Sequence, residues 1–461
     1  MKHRSSILLS LFAIALVSCK GGNSLPSAIS SQADASNARS VFGPSGNEKI
    51  LHAFKGSPDG QAPYAGLSAG SPGEFFGTTN GGGATGPSGY QEGTVFEISS
   101  AGKERVLYSF KGGSDGAGNE AGVIVGKNGV LYGATDYGGD GTGCSSNGCG
   151  TVYQLTPNGK KYTEKILYAF KGGKDGALPL GDVMLGANGV LYGMTTAGGG
   201  SKTCAPPSGV AGCGTVFSLT LSGSKWTEKI LHAFKGGKDG ASPRDSLIAD
   251  SSGTLYGTTE FGGGSSGCPT SPYGTATCGT VFSITPSGKE TILYHFKAGA
   301  NGDQPRAGLL AGKNGAFFGV TLNGGSSSVC GARGCGTAYE LTRKGKGYTE
   351  HVLHSFGNGS QDGIFPVDPE GLAADSSGNI YGATSQSLSS QGIGTVFELS
   401  PSGSGYNESI LHTFQVGTSD GELPYGSVVV ENSKVYGTTF VGGGTCGTST
   451  ESCGTVYEVT P

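Results

Sequence analysis

The chain has 461 residues, of which 90 are glycine and 14% are charged, and its formal net charge is −4. A charge so near balance excludes the basic stripe that a nucleic-acid surface needs. Glycine at this level marks a disordered chain unless it recurs with a period, and here it does.

The first residues read as an export signal. Lys2, His3 and Arg4 give a basic start, and residues 7–17 form an apolar run too short to span a bilayer stably. The run ends in Leu16-Val17-Ser18-Cys19, which resembles the bacterial lipoprotein lipobox. The Cys of that family is lipidated and becomes the N-terminus, so the resemblance implies an anchor on Cys19. The alternative is a plain secretory signal with an incidental Cys. Lys20, where Asp would retain the protein, implies sorting to the outer membrane. Residues 20–47 are Ser, Ala, Gly and Asn with few apolar groups, and read as a flexible tether. The protein is expected to be exported and held at the outer membrane or cell surface, meeting the membrane through its lipid alone.

From residue 48 to 461 one unit recurs. Its clearest part is Gly279-Thr280-Val281-Phe282-Ser283-Ile284, a Pro/Ser/Gly turn, then Thr291-Ile292-Leu293-Tyr294-His295-Phe296. Two β-branched and aromatic runs about such a turn predict a β-hairpin. The Leu of the second run recurs at 51, 107, 167, 231, 293, 353 and 411, a period of about 60 residues. Two further short strands, such as residues 246–250 and 254–259, precede each hairpin. Each half of the hairpin occurs seven times, but the chain enters on a lone second half at 50–54 and leaves on a lone first half at 454–459. The seventh hairpin forms only if the chain ends meet. This predicts an all-β, seven-bladed β-propeller of four strands per blade, closed by the N-terminal strand in the last blade. An open solenoid would instead want distinct capping repeats. A monomer is expected.

The loops from second to third strand and from fourth to first should share one rim. Both are long, and binding residues concentrate on such loops. The ten cysteines beyond Cys19 fall in the second-to-third loops as Cys144/Cys149, Cys204/Cys213, Cys268/Cys278, Cys330/Cys335 and Cys446/Cys453. Export makes local disulfides the expected state. The fourth-to-first loops repeat an Asp-Gly pair, as at Asp59, Asp115, Asp175, Asp239, Asp362 and Asp420. One acid per loop suits an Asx-type turn better than a calcium cage, so no cofactor or metal is expected, Ca2+ being the one ion admitted.

A variable residue leads into each inner strand: Tyr64, Glu120, Leu180, Arg244, Arg306, Glu370 and Tyr425. These should ring the mouth of a central channel. Tyr64, Glu120, Arg244, Arg306, Glu370 and Tyr425 are the candidate ligand-binding residues, suited to a glycan or a carboxylate-bearing ligand, with solvated rim positions as the alternative. His52, Tyr108, Tyr168, His232, Tyr294, His354 and His412 recur on the outer strands. They read as aromatics packed between blades, since equivalent residues lie too far apart to share a metal. The second-strand glycines, such as Gly77 and Gly257, read as bulges or close backbone approaches. No nucleophile elbow, clustered metal-ligand His, P-loop or dinucleotide fingerprint is present, and no catalytic residue is assigned.

The unit Leu-Tyr-Gly-Thr-Thr, Gly-Gly-Gly, Gly-Thr-Val-Phe and Ile-Leu-His-Ala-Phe resembles the Gloeo/Verruco tandem repeat of bacterial choice-of-anchor GloVer-containing proteins. The resemblance covers nearly all of residues 49–461. It implies a secreted or surface-held propeller and brings no established activity. The expected function is binding of a glycan or protein partner through the elaborated rim. The alternatives are a polysaccharide-active lyase or hydrolase, which needs converging carboxylates, and a structural surface protein.

Overall fold

The computed structural model describes residues 47–461 apart from the loop segments 87–90, 142, 145–146, 205–209, 265–267, 269–277, 346, 367–370, 390–391, 404, 417–419 and 447–451. The signal segment, Cys19, nearly all of the tether and Glu370 lie outside the described residues.

Seven antiparallel four-stranded sheets follow one another along the chain. Blade 1 runs Ser68–Ala69, Glu74–Thr79, Thr94–Ser99 and Glu104–Ser109. Blade 4 runs Ile248–Ala249, Leu255–Thr259, Thr280–Ile284 and Glu290–His295. Blades 2, 3, 5 and 6 keep the same order. Blade 7 takes Val429–Glu431, Lys434–Thr439 and Thr455–Thr460 from the C-terminal end. Its outer strand is Asn47–Ala53, with Ile50 opposite Tyr457. The split hairpin thus closes a seven-bladed propeller as expected. The inner strands are shorter than the sequence suggests: the five-residue run at 246–250 keeps only Ile248–Ala249 in the ladder.

The blades are joined by a repeated ring contact. The Phe that ends each outer strand meets the third-strand aromatic of the next blade edge-on, as in Phe54–Phe96, Phe234–Phe282 and Phe414–Tyr457. Centroids at all seven seams lie between 5.0 and 5.2 Å. The offset suits the ring quadrupoles, and most of these rings are fully buried. The second-strand glycine makes room for that aromatic. A Cβ on Gly77 would lie 2.4 Å from Phe96 Cζ, and one on Gly437 would lie 2.3 Å from the Tyr457 hydroxyl oxygen. The strand register runs unbroken there, so the bulge reading of these glycines does not hold. The bulges lie between third and fourth strands instead, for example at Val95/Phe96.

Farther out, each seam carries a polar triad. The His or Tyr of one outer strand and the Asp of the loop behind it face a Glu on the outer strand of the next blade. Tyr108 donates to Asp115 Oδ1 at 2.6 Å, and Tyr168 donates to Asp175 Oδ2 at 3.1 Å. In the departing repeat, Tyr294 and Asn301 both donate to Glu350 Oε2, at 2.9 and 2.7 Å. Each loop Asp also accepts a backbone N–H four or five residues back, as Asp239 does from Lys235 at 2.7 Å and Asp420 from Gln415 at 2.9 Å. The turn role of the Asp-Gly loops is therefore present.

Candidate functional site

The long loops of each blade meet at one rim. The fourth-to-first loop of every blade pairs with the second-to-third loop, as short ladders such as Gly60–Gln61 with Gly81–Gly82, or as single bridges such as Ala241 with Phe261. All five predicted disulfides form in these loops: Cys144–Cys149, Cys204–Cys213, Cys268–Cys278, Cys330–Cys335 and Cys446–Cys453. Five disulfides fit an oxidising, extracytoplasmic environment.

A strained backbone sets the mouth residues. Two positions before Tyr64, Arg244, Arg306 and Tyr425 stand Ala62, Ser242, Gln304 and Leu423, all with φ between 55° and 58°. Non-glycine residues hold this left-handed conformation only when their surroundings fix it. The fixing contact is a hydrogen bond from the strained residue to the loop of the preceding blade. Ala62 donates to Cys453 O at 2.7 Å, Ser242 to Cys213 O at 2.8 Å and Gln304 to Cys278 O at 3.0 Å. Where the loop has no disulfide the bond is longer: Leu423 to Ile393 O at 3.2 Å and Gly118 to Glu92 O at 3.4 Å. A proline then directs the chain inward, packed on the glycine that opens a neighbouring third strand. A Cβ on Gly214 (φ 94°) would lie 2.3 Å from Thr195 O and 2.7 Å from Pro243 Cδ. The recurring Gly-Thr-Val is thus a packing requirement of the mouth.

The carbonyl at this left-handed position also accepts from the residue just past the second strand. Asp136 N–H donates to Gly118 O, Glu260 N–H to Ser242 O and Phe440 N–H to Leu423 O. This adds a second ring of side chains to the predicted one. The sequence reading missed Asp136, Glu260 and Phe440.

Five blades converge here. Arg306 donates to Glu260 Oε1, Nε at 2.7 Å and Nη2 at 2.6 Å. Arg244 lies 3.8 Å from Glu260 and 3.6 Å from Glu120, reaching from blade 4 past blade 3 to blade 2. Glu120 N–H donates to Asp136 Oδ1 at 3.4 Å. Near this chain, Tyr64, Tyr425 and Phe440 form an aromatic cluster, with centroids at 5.3, 5.5 and 6.0 Å. Side chains from such separate blades meet only at the ring axis. Of the predicted residues, Tyr64, Glu120, Arg244, Arg306 and Tyr425 therefore come together at the channel mouth, lined but partly open to solvent.

The electrostatics are those of a polar site partly shielded from solvent. Burial pushes the Glu120 carboxyl up, against the pull of Arg244 and Arg306. Burial, then Glu120, pushes Asp136 well above the usual carboxylate range. Burial also raises Tyr64 and Tyr425. Burial works against the charge on Arg244, and Glu260 and Glu120 more than offset it. Asp136 Oδ2 is buried with no hydrogen-bond partner among the described residues. The mouth thus offers fixed donors and acceptors beside flat aromatic rings.

The family model of the Gloeobacter/Verrucomicrobia repeat matches residues 35–268, 202–328 and 268–461. The chain belongs to this family. No curated protein matches the sequence. Among solved structures, this Gloeobacter/Verrucomicrobia repeat propeller is similar to the polysaccharide lyase Uly1, with 12% identity and a TM-score of 0.48 over 88% of this chain and 90% of that one. It is also similar to an α-L-arabinofuranosidase of Fusarium graminearum, with 10% identity and a TM-score of 0.43 over 89% and 97%. A protein from Lactobacillus plantarum gives 11% identity and a TM-score of 0.43 over 76% and 84%.

Proposed function

We propose that the protein is an exported, lipid-anchored propeller that binds a neutral glycan at its channel mouth. The observation that carries this reading is the pairing of the Tyr64–Tyr425–Phe440 cluster with the Glu120–Arg244–Glu260–Arg306 chain. Sugar rings stack on aromatic faces, and their hydroxyls both donate and accept. The two arginines already face carboxylates, so the mouth has little unspent positive charge for an anionic ligand. In this reading a lipid on Cys19 and the tether of residues 20–47 hold the site outside the inner membrane.

The test is thermal unfolding with a panel of neutral cell-wall and plant glycans. A ligand that binds only the folded state, at a hundredfold excess over Kd, adds about 2.7 kcal/mol. For a chain of this size that is a rise of about 3 °C. A rise that is kept in Tyr425→Ala sinks the reading.

Convergence of Glu120, Asp136 and Glu260 favours a second reading, glycan cleavage. Burial raises the Glu120 and Asp136 carboxyls, the direction that general acid catalysis on a glycosidic bond needs of its proton donor. In that case Glu120→Gln abolishes turnover of a glycan that it still binds. Binding without turnover in the unaltered protein leaves the first reading standing alone.

A further inference from the structure

The seven seam triads come in two chemistries. In the Tyr seams, the hydroxyl closes a normal hydrogen bond. In the four His seams, a ring nitrogen, an Asp oxygen and a Glu oxygen lie within 4.8 Å of one another. His354 Nε2 stands 3.3 Å from Asp362 Oδ2 and 3.5 Å from Glu408 Oε1. His412 Nε2 stands 3.5 Å from Asp420 Oδ2, and Glu48 completes that group. His412 is only 7% exposed. Neither of its ring nitrogens has a hydrogen-bond partner among the described residues, and the seam Glu Oε1 has none in the His and Tyr seams alike.

His52, His232 and His354 stand within hydrogen-bond reach of their loop Asp, at 3.1, 3.3 and 3.3 Å, and His412 stands beyond it, yet all four separations also fit ligands of one ion. Two donors bound tetrahedrally at 2.0–2.1 Å lie about 3.3 Å apart. One imidazole and two carboxylates suit a borderline cation of the zinc class, with water in the fourth position. Calcium would want six to eight oxygens and no nitrogen. The sequence reading dismissed a metal because equivalent histidines lie on different blades. That argument does not hold, because the partners are not other histidines: each His meets its own loop Asp and the Glu of the next blade.

We propose that the His412, His354, His232 and His52 seams each bind a zinc-class divalent cation. Two of these cations bracket the ring closure. Glu48 and His52 both lie on Asn47–Ala53, one in the seam with blade 6 and the other in the seam with blade 1. Cations there join the closing strand to both neighbours by bonds that the Tyr seams lack.

The test is zinc stoichiometry by equilibrium dialysis and elemental analysis of the full chain, stripped with chelator and reloaded, alongside thermal unfolding. Four ions per chain and a raised midpoint are expected, with calcium unable to replace zinc. His412→Tyr, which installs the residue that three other seams carry, should lower the count from four to three. If that variant folds poorly, the isosteric Glu48→Gln makes the same measurement. Tyr168→His, beside Asp175 and Glu228, should raise the count to five. No retained zinc, a count unmoved by these substitutions, or stabilisation by calcium alone would overturn the proposal.

Discussion

The amide of Ser242 donates to the carbonyl of Cys213 at 2.8 Å, joining a disulfide loop of blade 3 to the segment that aims Arg244 of blade 4. The same bond recurs at every disulfide loop and lengthens where the disulfide is missing. The disulfides therefore act on the mouth as well as on the loop that they close.

Opening one of them should show both effects. The Cys204→Ala/Cys213→Ala variant releases a nine-residue separation and should lose about 2.6 kcal/mol of stability by the chain-entropy estimate. It should also weaken glycan binding at the mouth, whereas a loop staple alone would leave affinity unchanged. Denaturant unfolding and calorimetric titration on the same sample separate the two.

Gly214→Ala tests the packing beneath Pro243. Its Cβ would enter the contact distance of Thr195 O from a left-handed backbone. Strain and clash together should cost roughly 3 kcal/mol. Phe234→Ala empties a fully buried seam ring against Phe282 and should cost about 3–5 kcal/mol, read as a lower denaturant midpoint with unchanged slope.

The Tyr seams predict a pH dependence. Burial raises Glu164, Glu228 and Glu350 to about 7. Asp115 and Asp175 add to the rise at the first two, against Lys111 and Lys171, while Asn301, Tyr294 and Lys297 oppose it at the third. A carboxyl whose proton is held more tightly in the fold gives stability that is complete below about 4.5 and is lost as pH rises through about 7. Glutamine mimics the protonated acid. The triple variant Glu164→Gln/Glu228→Gln/Glu350→Gln should therefore flatten the fall in unfolding midpoint between pH 5 and 8 and exceed the parent at pH 8. A variant less stable than the parent at pH 8 would show that these groups are charged in the fold.

Blade count, ring closure, disulfide pairing and most of the first mouth ring were legible because the repeats align by eye. Tyr64, Arg244 and Tyr425 follow a shared Pro, so their equivalence survives their different chemistry. Glu260, Asp136 and Phe440 were missed because they occupy a loop position that strand periodicity leaves undirected, and their partners lie on other blades. The seam acids were legible in principle. Every repeat has Glu three residues before the marker Leu, from Glu48 and Leu51 to Glu408 and Leu411. An acid recurring seven times on a strand face that the pattern marks as partly buried is a signal that hydrophobic spacing alone passes over.

Calorimetric titration of the neutral glycan giving the largest thermal shift, into the parent protein, Tyr425→Ala and Arg244→Ala, is the decisive measurement. Binding at one site per chain in the parent, and loss of at least tenfold in affinity in each variant with the fold intact, is the result expected of a channel-mouth site. Equal affinity in all three proteins would place the ligand elsewhere and contradict it.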